Sequence, residues 1–366
     1  MVVFDFVAFE TLCNAFEFLT AQMQADNELP VYSVLEKLLC NLNEDDKTKY
    51  LRTRSRFGAG ILHRVFLDDR PTCSGMSQLP SNDHLKVLEL LLRNTHDLHL
   101  ASETDRYEEN ILHKAIQIRS LDTIKIILGN VGELEIVQML WTRNNSAMSP
   151  LDYLFCSTTE SRFRVDVLTA VVGYMSCVNV CDILLNSVLD DKSVFQKLLS
   201  VGDSRTLIFV LDFTDRIECQ LSHETFESPQ VLYDFISSNF CCNKEYEAAN
   251  VLDRLLQPMR PDDAYSLLQR ESIDGDSLMH SILRYCDPTF AYIVLRTVHY
   301  DQRHSLLVKR NRLDETPFHS LFSGETTQCD CNMCVSKVSN QCEMMRVCLG
   351  LVPPSYRVST LVLFDF

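Results

Sequence analysis

Apolar residues along the chain cluster at spacings of three and four, and they come in pairs of stretches separated by a polar break. That period is the mark of helices burying one face. The second stretch of each pair has the stronger apolar content, and the predicted second helices cover 84–93, 121–129, 165–175, 204–212, 246–256, 289–298 and 341–350. The unit read from this pattern is a helical hairpin. Two earlier runs, Phe9 to Gln24 and Val31 to Asn41, read as further helices at the N-terminal end. The low-charge run from Val167 to Cys181, bounded by Asp166 and Asp182, has 15 residues. It is shorter than the roughly 20 that a membrane-spanning helix requires and reads as a buried helix.

The hairpins begin at a recurring string. Leu51-Arg52-Thr53-Arg54 through His63, Leu140-Trp141-Thr142-Arg143 through Asp152, and Leu307-Val308-Lys309-Arg310 through His319 align without gaps. Each places a Leu twelve residues and an Arg nine residues before a His or Asp anchor. Asn110-Ile111-Leu112-His113 and Ser277-Leu278-Met279-His280 share the end of the pattern, and Ser193-Val194-Phe195-Gln196 and Gln230-Val231-Leu232-Tyr233 are weaker copies. The anchors at 63, 113, 152, 196, 233, 280 and 319 are 37 to 50 residues apart, a period that means a repeat array.

The strings Thr316-Pro317-Phe318-His319, Ser149-Pro150-Leu151-Asp152 and Ile111-Leu112-His113-Lys114-Ala115 resemble the ankyrin repeat, whose signature is T-P-L-H followed by a small apolar residue. Pro at the first helical position has a preset φ and lacks only an N–H that would be orphaned anyway, and Thr or Ser before it caps the helix. The resemblance implies an all-α, ankyrin-like helical-hairpin solenoid of about seven repeats: an N-terminal helical cap over residues 1–45, the array over 46–351, and a tail or capping segment over 352–366. It also implies that the anchor His hydrogen-bonds across to the neighbouring repeat. The chain departs from the family in spacing, which is usually 33 residues. The surplus is expected in longer helices or loops, with 69–82 one insertion, and the Asp152, Gln196 and Tyr233 anchors imply an irregular middle. The ends carry nearly one string, Val2-Val3-Phe4-Asp5-Phe6 and Leu361-Val362-Leu363-Phe364-Asp365-Phe366, read as short strands or apolar plugs.

Composition sharpens this picture. In 366 residues there are only 10 Gly and 11 Pro, about half the average share, which favours helices over a β-sandwich. A formal net charge of −16 argues against nucleic acid or an anionic membrane as partner. The 15 Cys are an odd number, mostly within apolar runs, so reduced thiols in a cytoplasmic protein are expected. Cys13, Cys40, Cys177, Cys181 and Cys348 read as small core hydrophobes. The opening MVVFDFVAFETL lacks the basic start of a signal peptide.

No G-x-S-x-G, P-loop, H-E-x-x-H or G-x-G-x-x-G string occurs, so no catalytic function is expected. His63, His113, His280 and His319 recur at one place per repeat and read as structural. Arg52, Arg54 and Arg56, with Lys309, Arg310 and Arg312, form two basic clusters before anchors, read as solvated loops or contacts to an acidic partner. One cluster has metal-ligand spacing: Cys329, Cys331 and Cys334 in a polar segment, with Cys342 eight residues on. Four thiolates would hold one zinc ion; reduced loop thiols are the alternative. The expected function is a monomeric protein-interaction scaffold or adaptor that binds a protein partner through its concave face and its finger tips, Arg56, Phe57, Asn144, Asn145, Asp274 and Arg312. An adaptor for ubiquitin transfer or a pathogen effector, and a zinc-containing or redox-sensing module, are the alternatives.

Overall fold

The computed structural model describes residues 31–52, 54, 60–66, 82–95, 98–156, 158–186, 188–189, 192–216, 229–238, 245–272, 275–323 and 337–362. The elements among them are helical apart from a two-residue antiparallel pair, Val188–Leu189 against Lys192–Ser193, and a bridge between Glu271 and Ser277. The chain divides into two compact units, Met1–Val180 and Cys181–Phe366.

In the first unit Val31–Asn41, Asn82–Thr95, Leu121–Asn130 and Ser161–Tyr174 pack one on the next as a row. Each turns apolar residues three and four apart into the core: Val87, Leu88, Leu91 and Leu92, then Ile124, Ile127 and Leu128, then Val167, Leu168 and Val171 are all buried. The short helices Ile111–Gln117 and Pro150–Leu154 pack on each other beside this row.

The second unit has two complete rows. Val194–Val201, Pro229–Ser238, Leu278–Tyr285 and Pro317–Ser323 pack in succession as one. Ser204–Arg216, Glu245–Leu256, Pro288–Thr297 and Lys337–Leu351 pack in succession as the other. Phe195, Phe235, Leu252, Val294 and Cys348 are fully buried between them.

The long period arises from an added helix, where longer helices or loops were expected. A third helix leads into the next turn: Leu100–Ser102, Glu133–Trp141, Pro261–Gln269 and Arg303–Val308 end three residues before Asp105, Asn144, Ser272 and Asn311 respectively. Pro354–Val362 occupies the corresponding place after Lys337–Leu351 and packs on Arg303–Val308. Leu361 and Val362 therefore end a helix rather than start a strand; the rest of that string, Val2 to Phe6, the run Phe9 to Gln24 and nearly all of 69–82 lie outside the described residues.

Two further expectations need correction. The run Val167 to Cys181 is broken after Tyr174, with a new helix, Cys177–Cys181, starting beyond Ser176. Glu133 accepts from the Ser176 amide at 2.5 Å and from Asn179 at 2.8 Å, so its carboxylate caps that new start. Cys40 and Cys177 are exposed and Cys181 is half-buried, on helix positions that face water, while Cys348 alone of that group is buried among the described residues. Burial pushes the Cys348 thiol up to about 12, which keeps it protonated and unreactive.

Candidate functional site built on a recurring turn

Four turns share one construction, and the residue eight positions before each anchor builds it. Asn144 donates its N–H to Met148 O at 3.0 Å and accepts the Ala147 N–H at 2.8 Å on its own carbonyl. Its Oδ1 accepts from Ser146 N and Met148 N, both at 2.9 Å. Asn311 repeats all four bonds with Glu315, Asp314 and Leu313, and Asp105 repeats them with Glu109, Glu108 and Tyr107. Ser272, one atom shorter, keeps the backbone pair and one side-chain bond, to Asp276 N at 3.2 Å. The residue three places on must then take a left-handed conformation: Glu108, Ala147 and Asp314 have φ of 60, 59 and 63°, and Gly275 has 84°. For a non-Gly residue this costs on the order of 1 kcal/mol, which the four bonds offset.

Where an Arg stands nine residues before the anchor of one of these turns, it closes the turn. Arg143 Nη1 donates to Ala147 O and Arg310 Nη1 to Asp314 O, each at 2.9 Å. Arg54 instead reaches the next turn, donating to Thr104 O at 3.0 Å and pairing with Glu103. Arg54 and Arg310, expected as solvated loop residues or partner contacts, hold turn backbone.

Two anchors, His113 and His280, both cap their own helix and tie it to the next turn, and His63 makes the tie alone. His113 Nδ1 accepts the Asn110 N–H at 3.1 Å while Nε2–H donates to Met148 O at 3.1 Å. His280 Nδ1 accepts the Ser277 N–H at 3.1 Å and Nε2–H donates to Glu315 O at 2.9 Å. His63 Nε2–H donates to Glu109 O at 2.8 Å. The acceptors are the same turn position every time. That pattern requires the neutral Nε2–H tautomer, and burial lowers His63, His113 and His280 below the ordinary histidine value, outweighing their carbonyl partners.

Tyr233, expected to mark irregularity, performs the same linkage: its hydroxyl lies 2.8 Å from Asp276 O and 3.1 Å from Arg270 O. Burial, then the charges of Asp276 and Glu271, pushes its ionisation to higher pH, so it stays a donor. Gln196 reproduces the capping half, with Oε1 accepting the Ser193 N–H at 2.9 Å. Asp152 Oδ2 accepts the Ser149 N–H at 2.9 Å and its hydroxyl at 2.8 Å.

Beneath the tips lies a polar cluster. Glu109 Oε1 accepts from Gln117 at 2.7 Å, Asn144 at 3.1 Å and Tyr153 at 3.2 Å, and its other oxygen pairs with Lys114, which also meets Asp105 at 3.2 Å. Burial alone would raise the Glu109 carboxyl; Lys114 and the amide donors outweigh it and lower it. Burial alone would lower Lys114; Glu109 and Asp105 outweigh it and raise it. Both stay charged. In the second unit Asp276 takes the Glu109 place, accepting from Asn311 at 2.7 Å and Arg284 at 3.3 Å, while Arg284 also donates to Ser320 at 3.2 Å.

The expected tip residues fare unequally. Asn144, expected to be exposed, is 7% exposed because it is the hub of its turn. Asn145 is exposed and joins neighbouring turns, donating its N–H to Tyr107 O at 3.0 Å and Nδ2–H to Arg106 O at 3.2 Å. Arg312 is exposed, with its side-chain stem over Gly275. Arg56, Phe57 and Asp274 lie outside the described residues, as do Cys329, Cys331 and Cys334; Cys342 is exposed on Lys337–Leu351. Among the described residues no group of three or more His, Cys, Asp or Glu is placed to hold a metal ion. No described helix is long and apolar enough to cross a membrane. Sequence reasoning missed Asp105, Glu109, Ser272, Asp276 and Asn311; reading back eight residues from each anchor, where Ser55, Asp105, Asn144, Ser272 and Asn311 stand, gives the signal. No protein-family model matches the chain, and no curated protein matches it.

Proposed function

We propose that this chain is a non-catalytic protein-interaction scaffold, an ankyrin-like array of about seven repeats with an N-terminal helical cap, and that a protein partner binds at the tips of its turns. The observation that carries this reading is the division of labour within each turn. The first, third, fourth and fifth residues give backbone groups to the bonds above, whereas the side chains of the second and third project: Arg106 and Tyr107, Asn145 and Ser146, Arg312 and Leu313 are exposed. Tyr107 and Leu313 keep 49% and 76% of their surface in water. Arg106 lies over the Tyr107 ring at 4.6 Å, so the tip presents a stacked, pre-ordered side-chain pair. Side chains that vary on a frame that repeats suit recognition more than stability.

Affinity capture from cell extract with the full chain as bait, read by mass spectrometry, tests the reading. A partner retained by the wild type should be lost from a Tyr107→Ala, Leu313→Ala double variant whose melting temperature is unchanged. Retention of every captured protein by that variant would remove the turn tips as the binding site.

A further inference from the structure

The same backbone task is given to different side chains in different turns. The N–H of the residue that caps each first helix donates to an imidazole nitrogen at Asn110 and Ser277, but to a carboxamide oxygen at Ser193. A carboxamide carries no titrating proton. An imidazole that accepts at Nδ1 has its one lone pair in use; a proton arriving there opposes the cap amide N–H and turns to the cap side-chain oxygen instead, Asn110 Oδ1 at 2.9 Å or Ser277 Oγ at 2.8 Å. We propose that the turns closed by His113 and His280 are acid-labile devices that open at their helix caps in mildly acidic solution, while the turn closed by Gln196 stays shut.

What is lost is specific. The imidazolium keeps Nε2–H, so the links to Met148 O and Glu315 O survive; the bonds from Asn110 N and Ser277 N do not. The surroundings of the two rings push in both directions. Glu109 and Asp105 favour the charged form of His113 and Lys114 opposes it, with the Tyr153 ring edge-on at 6.1 Å. Asp276 favours the charged form of His280 and Arg284 opposes it. Burial is the largest influence on both and holds them below the ordinary value near 6.5. A folded value depressed below the unfolded one means that these caps contribute fully above about pH 6.5 and are lost as the pH falls through the depressed value.

Amide hydrogen exchange on the full chain, with each rate divided by its intrinsic rate, tests this between pH 7.5 and 4.5. Protection at the Asn110 and Ser277 amides should fall at least tenfold relative to the Ser193 amide. His280→Gln, which copies the Ser193–Gln196 pair, should abolish the response at Ser277 and leave it at Asn110. Equal behaviour of the Ser193 and Ser277 amides in the wild type would overturn the proposal, whether or not the variant folds. So would an undiminished acid response at Ser277 in a folded His280→Gln chain.

Discussion

The polar clusters under the turns of the two units have one wiring and different parts. In the first, Glu109 is gripped by Gln117, Asn144, Tyr153 and Lys114. In the second, Asp276 is gripped by Arg284 and Asn311, and Ser320 completes the set through Arg284. Counted from the anchor, Gln117 and Arg284 share a position, and so do Tyr153 and Ser320. The balancing cation therefore sits one residue after the anchor in one unit and four residues after it in the other. A buried acid needs a cation and donors from the next turn, and either helical position reaches it because the two lie on one face of a short helix. Geometry is held constant while residue identity drifts, so no family signature need remain for the fold to persist.

The sharpest way to break that comparison is at the residue both clusters share. Asn144→Ala removes Oδ1 from the Ser146 and Met148 amides and Nδ2 from Glu109 and Tyr153, within a buried site. It should cost about 2–4 kcal/mol in urea unfolding. Asn311→Ala removes the same turn bonds at a half-buried position where Arg284 still neutralises Asp276. Its cost should be about 1–2 kcal/mol, since water can replace part of what is lost. Equal costs would show that burial of the hub does not distinguish the two clusters.

A smaller effect tests whether unlike anchors do like work. Tyr233→Phe keeps the ring and removes the hydroxyl that donates to the Arg270 and Asp276 carbonyls, leaving Asp276 O with the Ser272 N–H alone. A loss of about 1–2 kcal/mol is expected, with the downstream turn at Ser272 to Asp276 losing amide protection first. No change in either quantity would make Tyr233 a packing residue and leave the histidine links without a counterpart.

Helices were legible wherever the apolar period was complete. Val31–Asn41 has the bounds that the spacing predicts, and the second helices depart from expectation by a few residues at their ends, where capping rather than periodicity decides. The third helices were missed for a physical reason. Leu100–Ser102 and Arg303–Val308 are too short to show a period, and they are fixed by packing against Glu133–Trp141 and against Pro317–Ser323 and Pro354–Val362. The anchors were legible as a string, and so was the cross-turn role of His113 and His280. The hub role of Asn144 was not, because an Asn in a polar run has the same appearance whether its amide faces water or closes a turn around two backbone amides.

The smallest effect concerns the one described first-helix cap that has no side chain. Gly60 precedes the Ile61–Arg64 helix where Asn110, Ser149, Ser277 and Thr316 stand in other turns, and His63 Nδ1 is buried without a hydrogen-bond partner. The backbone at Gly60, φ −73° and ψ 171°, is open to any residue. A Cβ added there would lie 3.6 Å from His63 Nδ1 and 3.6 Å from Glu103 Oε2, in ordinary contact. Gly60→Ser should therefore place a hydroxyl where the Ser277 hydroxyl meets His280 Nδ1 at 2.8 Å. By giving the orphaned nitrogen a donor, it should raise stability by about 0.5–1 kcal/mol. Gly60→Ala supplies the Cβ and the backbone restriction without the hydroxyl, and a poorer cap offsets what the restriction contributes. Urea midpoints of the two variants decide the matter: Ser above Ala by several tenths of a kcal/mol places the first turn in register with the rest, and Ser no better than Ala shows that the His63 ring is closed by another arrangement.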